Sequence, residues 1–147
     1  ELPVQRDRGQ WMSHPILELQ SMLMAALAAD EALGALLGSD IFDAPPKGRR
    51  PPYLVVAKHD IVPRDGDLTP GFEHRVVLHA WAAEASRKAV LAIVERVVGL
   101  ALGGLSGPLT VTLARHVRTE TAIDTGTGFA RAVVELRFHT EAGSQGE

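Results

Sequence analysis

The segment 86-SRKAVLAIVERVVGLAL-102 decides the fold, because its apolar residues recur at the spacing of an amphipathic helix. Ser86 is a suitable N-cap, and Gly103 and Gly104 follow the last apolar residue, where helices commonly end. The apolar residues form two adjacent rows, Ala89, Ile93, Val97, Leu100 and Val90, Val94, Ala101. Such a wide apolar face predicts that this helix packs on a sheet.

Two segments after this helix alternate between apolar and polar residues, which is the pattern of half-buried strands. The first is 109-LTVTL-113, in which threonines separate the leucines and the valine. In the second, Ala132, Val134, Leu136 and Phe138 alternate with Glu135, Arg137 and His139. We therefore expect two antiparallel strands that each turn one face toward the core.

The chain before this helix predicts two further helices. The first runs from about His14 to Ala29 with Ser13 as its N-cap, and the second follows Asp30 as N-cap and ends at Gly38. The proline-rich stretch from Ala44 to Pro52 then predicts an irregular connector, because proline cannot continue a helix or donate to a sheet ladder.

Two more strands are predicted, from Tyr53 to Val62, where Pro63 stops the run, and from Phe72 to Ala82. A flexible connection from Arg64 to Gly71 joins them into a hairpin. The element order is thus ααββαββ. The sequence predicts an α+β fold, with a four-stranded, mainly antiparallel sheet and the helices packed on one face.

The length of 147 residues is typical of one domain. We expect residues 1–12 to be a flexible N-terminal extension and residues 13–140 to form a single α+β domain. Residues 141–147 are predicted to be a frayed C-terminal tail, because they are small and polar.

Composition excludes several classes of protein. The absence of cysteine rules out disulfides, thiolate metal sites and cysteine nucleophiles. A net charge of -3 supplies no field that would draw the whole chain to DNA or to an anionic membrane. No run approaches the roughly 20 apolar residues that cross a bilayer, so the chain is predicted not to span a membrane.

The sequence offers no clear reaction centre. His74 and His79 lie five residues apart on a predicted strand, so they face opposite sides of the sheet and cannot share a metal. Gly126 and Gly128 read as a turn between strands, since a strand and not a helix follows them. We therefore predict no catalytic residue, no cofactor-binding residue, no metal ligand and no cofactor.

Several segments, in their order and spacing, resemble one family. They are 27-LAADEALGALLG-38, 41-IFDAPP-46, 52-PYLVV-56, 74-HRVVLHAW-81 and the closing strand from Ala132 to Phe138. Together they resemble the tail terminator (tail completion) proteins of long-tailed phages and gene transfer agents. The resemblance covers roughly Ser13 to Thr140.

This resemblance implies a structural virion protein and not an enzyme. Its members form a ring, usually of six subunits, that caps the head-proximal end of the tail tube and halts tube polymerisation. The implied partners are other copies of the chain, the tail tube protein and the neck or head–tail connector protein, with DNA only passing through the lumen and no membrane. The implied location is a virion or phage-like particle assembled in the bacterial cytoplasm.

Two polar connections, Arg64 to Gly71 and Arg118 to Gly128, are the predicted contact segments, because loops on a rigid scaffold often carry binding. The predicted subunit or partner contacts are Arg64, Asp65, Asp67, Arg118, Glu120 and Asp124. Three alternatives stay open. They are another neck or adaptor protein of the head–tail junction, a small enzyme built from scattered histidines and acids, and a ligand-binding domain with a closed apolar cavity.

Overall fold

A computed structural model of the chain describes residues 14–37, 40–44, 46–65 and 70–142. The elements within these residues are α1 (Pro15–Ala28), α2 (Glu31–Leu37), β1 (Ile41–Phe42), β2 (Tyr53–Asp65), β3 (Pro70–Ala82), α3 (Arg87–Leu102), β4 (Leu109–Ile123) and β5 (Ala130–Ala142). The strands form one mixed sheet in the order β1-β2-β3-β5-β4. β1 is parallel to β2, and the other neighbouring strands are antiparallel.

The predicted α+β class is confirmed, but the predicted four-stranded sheet and the order ααββαββ are wrong. The sheet has five strands, because Ile41 and Phe42 pair with Leu54 and Val55 as the short edge strand β1. The described order is therefore ααβββαββ. A two-residue strand is too short to show the alternation by which strands are detected, so the sequence assigns no element to Ile41 and Phe42.

The helix starts follow from local capping. His14 Nδ1 accepts a hydrogen bond from the Ile16 N–H at 3.1 Å at the start of α1, whereas the predicted N-cap Ser13 lies outside the described residues. Asp30 Oδ2 accepts from the Leu33 N–H at 2.8 Å, which confirms Asp30 as the N-cap of α2. Gly38, the predicted end of α2, also lies outside the described residues.

The long helix α3 agrees with its prediction. It is capped at its start and linked to α2 near its middle. Ser86 Oγ accepts from the Ala89 N–H at 3.1 Å and caps the helix. Arg96 donates from Nε and Nη2 to the Asp30 carboxylate at 2.7 Å and 2.6 Å. This bidentate pair links α3 to the start of α2, and it lowers the pKa of Asp30 to about 2.

The hairpin of β2 and β3 is longer than predicted. β2 continues past Pro63 to Asp65, and β3 begins at Pro70, so four residues of the predicted connection, Arg64, Asp65, Pro70 and Gly71, are paired strand, and residues 66–69 lie outside the described part of the chain. β2 pairs with β1 only at Leu54 and Val55. Beyond that point one edge of β2 is free of β1, and proline is tolerated at a free edge.

The strand at the other edge is also longer than expected. β4 extends to Ile123, so the predicted connection from Arg118 to Gly128 is largely strand. Residues 124–129 make the turn to β5, where the Asp124 carboxylate accepts from the Thr127 N–H and hydroxyl at 2.9 Å and 2.8 Å. β5 itself includes Glu141 and Ala142, two residues that the sequence assigns to the C-terminal tail.

One core lies between the helices and one face of the sheet. The alternation predicted for β5 is confirmed, since Ala132, Val134, Leu136 and Phe138 are all fully buried or nearly so. The core also contains apolar side chains from all three helices, among them Leu19, Leu23, Leu27, Leu33, Leu37, Val90, Ile93 and Val97. α3 contacts β3, β4 and β5 and therefore covers the centre of the sheet.

A bulge in β4 overturns part of its predicted pattern. Val111 is in register with Thr140, whose side chain is buried, but Leu113 is in register with His139 on the opposite face. The register shifts between Val111 and Leu113, so the two residues face opposite sides of the sheet. Strict alternation would have placed Leu113 in the core.

The helices also bear on the membrane prediction. Within the described residues, no single helix is long and apolar enough to cross a membrane. α1 and α2 reach that length and composition only as a pair, and they are bent by 87° at the break between them.

Candidate assembly surface

The face of the sheet opposite to α1, α2 and α3, here called the outer face, carries most of the charged strand residues. Register across the strands places its side chains in rows. They include Lys58, Asp60, Val62 and Arg64 on β2; Glu73, Arg75, Val77, His79 and Trp81 on β3; Arg131, Val133, Glu135, Arg137 and His139 on β5; and Leu113, Arg115, Arg118 and Glu120 on β4. The outer face is therefore a broad polar surface on a rigid sheet.

Glu73 is the centre of one charged cluster on this face. Its Oε2 lies 3.3 Å from Arg137 Nε and 3.9 Å from Arg75 Nε, and its Oε1 lies 3.7 Å from His139 Nε2. Partial burial lowers the pKa of His139, and the cations Arg64, Arg137 and Arg115 lower it further, while Glu73 raises it. The local field around His139 is thus dominated by guanidinium groups.

A second charged cluster lies on β4 and β5. Arg118 pairs with Glu120 on its own strand, and its Nε lies 3.5 Å from Glu135 Oε1 on the neighbouring strand. Hydrogen bonding to Arg118 lowers the pKa of Glu120. The single guanidinium of this cluster thus lies between two carboxyl groups.

One end of the outer face combines aromatic rings with arginines. The guanidinium of Arg131 lies 5.7 Å from the ring centroid of Trp81, a cation–π distance. Arg50 lies 5.8 Å from the Phe129 ring, and Arg49 similarly stacks over Phe42. Trp, Tyr and Arg are enriched at the energetic centres of protein interfaces.

The predicted contact residues are distributed over this surface. Arg118 and Glu120 lie side by side, but on strand β4 and not in a connection. Arg64 lies near the end of β2 at the far edge of the outer face, and Asp124 lies in the turn at the opposite end. Asp65 is the last residue of β2, whereas Asp67 lies outside the described residues.

Sequence reasoning did not single out the arginines of the central strands. Arg75, Arg137 and Arg115 are in register with one another across β3, β5 and β4. The available signal was the polar half of each alternating strand. Their alignment could not be derived without the strand order and the bulges of β4.

A different polar group lies inside the core. His59 Nε2 is 2.9 Å from His74 Nδ1, and His74 Nε2 is 2.8 Å from Thr140 Oγ1. His74 and Thr140 are fully buried. Burial is the main cause that lowers the pKa of both histidines to about 4, so the pair is neutral at neutral pH.

The small-enzyme alternative would be favoured by a deep pocket that gathers several histidines and acidic side chains. Three surface grooves have volumes of about 350, 220 and 240 Å³. The largest lies between α1 and β1, beside Leu17, Met24 and Phe42. None of these three grooves is lined by a histidine, and the His59–His74 pair instead lies against the core.

The prediction that His74 and His79 face opposite sides of the sheet is confirmed, since His74 is buried and His79 is in the outer-face row of Val133. Within the described ranges, no group of three or more His, Cys, Asp or Glu side chains has the geometry of a metal site.

Comparison with known proteins identifies the family. Residues 21–141 match the family model described as tail completion protein gp17. The fold is similar to a chain in the virion of a native gene transfer agent particle, with a TM-score of 0.75 and 21% sequence identity. That similarity covers 88% of this chain and 100% of the other.

No protein of curated function matches the chain. The family match nevertheless covers the C-terminal part of α1 and every later element, up to the penultimate residue of β5, and it agrees with the resemblance found in the sequence. The chain therefore belongs to the tail completion protein gp17 family.

Proposed function

We propose that this chain forms a ring, of six subunits, at the head-proximal end of a tail tube in a phage or phage-like particle. There it stops tube polymerisation and joins the tube to the neck or head–tail connector. Its partners are other copies of itself, the tail tube protein and the connector protein, and DNA passes only through the lumen. The ring is assembled in the bacterial cytoplasm and functions without a cofactor or catalysis.

The observation that carries this proposal is the family match over residues 21–141. A protein that completes a tail must contact the tube on one side and the connector on the other. A ring additionally requires two unlike surfaces on each subunit, which meet around a rotation axis.

The fold supplies unlike surfaces. The outer face presents the clusters around Glu73 and Arg118. The helix side instead exposes isolated leucines, with Leu17 at 56%, Leu91 at 40% and Leu102 at 41% exposure. These surfaces lie on opposite sides of one sheet and differ in chemistry, and a head-to-tail ring contact joins two unlike surfaces.

The sequence-predicted contacts remain predictions within this proposal. Arg64, Arg118 and Glu120 lie on the strands that border the sheet edges, and Asp124 lies in a turn at one end of the sheet. Asp65 and Asp67 belong to the same predicted segment as Arg64. Arg64, Arg118, Glu120 and Asp124 are all exposed and so accessible to a partner.

Another neck or adaptor protein of the head–tail junction is the nearest alternative, because it would need the same kind of scaffold. Position in the particle separates the two, because a tail completion ring caps the end of the tube, whereas a neck or adaptor protein joins the connector to the tail. For the other alternative, a small enzyme, the best candidate residues are His59 and His74. This pair is hydrogen-bonded to Thr140 inside the core.

The direct test is to inactivate the gene in cells that produce the particle and to measure tails by electron microscopy. We expect tubes of uncontrolled length that are not joined to heads, and rescue by the wild-type chain in trans. Tails of normal length joined to heads in the inactivated strain would contradict the proposal. Normal-length tails that remain detached from heads would instead support the adaptor alternative.

A further inference from the structure

The register of the outer face places three arginines side by side. Arg75, Arg137 and Arg115, here called the arginine row, are direct cross-strand partners on β3, β5 and β4. Side chains at such positions have Cβ atoms about 5 Å apart, and like charges directly opposite each other are destabilising. The row therefore needs carboxylates nearby.

The described carboxylates reach only part of the row, since Asp60 is in register with Arg75 and Glu73 lies beside it, while the residue opposite Arg115 is Arg137. Glu73 Oε2 is shared between Arg137 and Arg75, at 3.3 Å and 3.9 Å. Arg115 forms no ion pair with any residue that the structure describes. Arg137 Nε is buried and makes no hydrogen bond within the described ranges.

The surroundings of the row are partly apolar. Val77 and Val133 are half-buried on the same face, and Leu113 was moved there by the β4 bulge. A complementary partner would therefore carry carboxylates beside apolar side chains. Interface cores combine these features, because a carboxylate pairs with the planar guanidinium and apolar contacts exclude water.

The chain itself carries such a surface on the other side of the sheet. α3 buries Val90, Ile93, Val94, Val97 and Ala101 against the sheet. Its solvent side presents Leu91, Glu95 and Leu102, here called the α3 stripe, with 40% exposure at Leu91 and 41% at Leu102. Glu95 forms no ion pair within the described part of the chain.

We propose that the arginine row of one copy packs against the α3 stripe of a second copy, with Glu95 pairing with the row. α3 contacts β3, β4 and β5, the strands that carry the row on their other face. The two surfaces are thus back to back in one subunit. A contact between unlike surfaces of identical chains is heterologous and closes into a ring when the rotation permits.

A nucleic acid is the competing occupant, since arginines also bind phosphates. Carboxylates are interspersed with the cations, however, with Glu73, Glu135 and Glu120 on the same face. A continuous polyanion would meet these negative charges, whereas a protein surface can place single carboxylates beside single arginines. Charge pattern therefore favours a second copy.

This inference rests on the proposed ring. Cross-linking tests the contact between copies separately from tail completion. The chain lacks cysteine, so cysteines can be introduced without background. The Glu95→Cys/Arg115→Cys double variant is treated at high concentration with a short bismaleimide cross-linker. We expect a ladder of multimers on a denaturing gel, whereas the matched Glu84→Cys/Arg115→Cys control gives only a low level of random dimers.

Charge reversal tests the same contact in the particle. Glu95→Arg or Arg115→Glu alone should lower the fraction of completed tails about tenfold or more, because like charges then face each other. Co-expression of the two single variants should restore completion, since alternating copies of an even-numbered ring again pair unlike charges.

Three outcomes would contradict either the contact between copies or the proposed function. Cross-links no stronger than the control, or wild-type tail completion by both reversed variants, would overturn the assignment while leaving the proposed function intact. Binding of a fluorescent DNA duplex by the wild-type chain but not by Arg115→Glu, with no ladder, would assign the row to phosphates and also overturn it. A chain whose loss does not affect tails would refute the proposed function itself, whatever the cross-linking shows.

Discussion

The two faces of the sheet are made by the same strands but have opposite chemistry. On β5, Val134, Leu136 and Phe138 are buried beneath the helices, while Glu135, Arg137 and His139 lie between them on the outer face. The first set determines how the chain folds, because it removes apolar surface from water. The second set contributes little to the core and is therefore free to serve contacts with other subunits.

The largest expected effect comes from neighbouring residues on these two faces. Phe138→Ala should lower the free energy of unfolding by about 3–5 kcal/mol, since Phe138 is fully buried and the substitution leaves a cavity. Arg137→Ala, one residue away on the outer face, should cost much less. Urea denaturation of both variants tests the comparison, and equal losses would show that the outer face also holds the fold together.

Acid should act next most strongly, and through the core. An unfolded histidine binds a proton near pH 6.5, but His59 and His74 do so only near pH 4 in the folded chain. Between these values the unfolded state binds more protons than the folded state. The free energy of unfolding therefore has its full value above pH 6.5 and falls as the pH drops. The cost for this hydrogen-bonded pair is of the order of a few kcal/mol by pH 4.

Denaturation measured at several pH values tests this acid effect. His59→Gln should reduce the loss of stability between pH 6.5 and pH 4, and His116→Gln, at an exposed histidine of β4, is the matched control. An identical pH dependence in all three proteins would show that the buried pair does not govern acid sensitivity.

A smaller effect is expected when the buried pair loses its partner. Thr140→Val keeps the shape of the side chain but removes the hydroxyl that lies 2.8 Å from His74 Nε2. Leaving a buried polar atom unsatisfied should cost about 1–3 kcal/mol. The matched change Thr110→Val, at an exposed position of β4, should be nearly neutral in the same denaturation assay. Equal values for the two variants would indicate that the bond to His74 contributes nothing.

The smallest effect is expected at the carboxylate of the outer face. Glu73→Gln should change stability by about 1 kcal/mol or less, because partly exposed ion pairs contribute little. It should also lower the pKa of His139 further, since Glu73 is the carboxylate that raises it. Titration followed by NMR measures this change, and a rise in that pKa would contradict the charge balance described for the outer face.

Much of the fold was predictable from periodicity. The helices α1, α2 and α3 and the alternation of β5 could be predicted from the sequence. These segments are long enough to show their periods of 3.6 and 2 residues. β1 was missed because a strand of two residues, Ile41 and Phe42, is too short to show alternation. The lengths of β2 and β4 were underestimated because Pro63 and the polar residues from Arg118 onward resemble loop, although sheet edges accept both.

The candidate surface was predictable only in part. Arg118 and Glu120 were identified from a polar segment, and the structure places them together on β4. The arginine row was not identified, because its alignment depends on strand order and on the β4 bulges, neither of which is local. The pairing of His59 with His74 likewise depends on the β2–β3 register, and their spacing in sequence gives no sign of it.

The most direct test of the contrast between the two faces is arginine footprinting of the free chain and of the assembled particle. Phenylglyoxal modification, read by mass spectrometry, reports the accessibility of each guanidinium. We expect Arg115 and Arg75 to react in the free chain and to be protected in the particle, while Arg96, which is already paired with Asp30 in the free chain, changes less. Equal reactivity of the arginine row in both states would contradict the account, because the outer face would then not be an assembly surface.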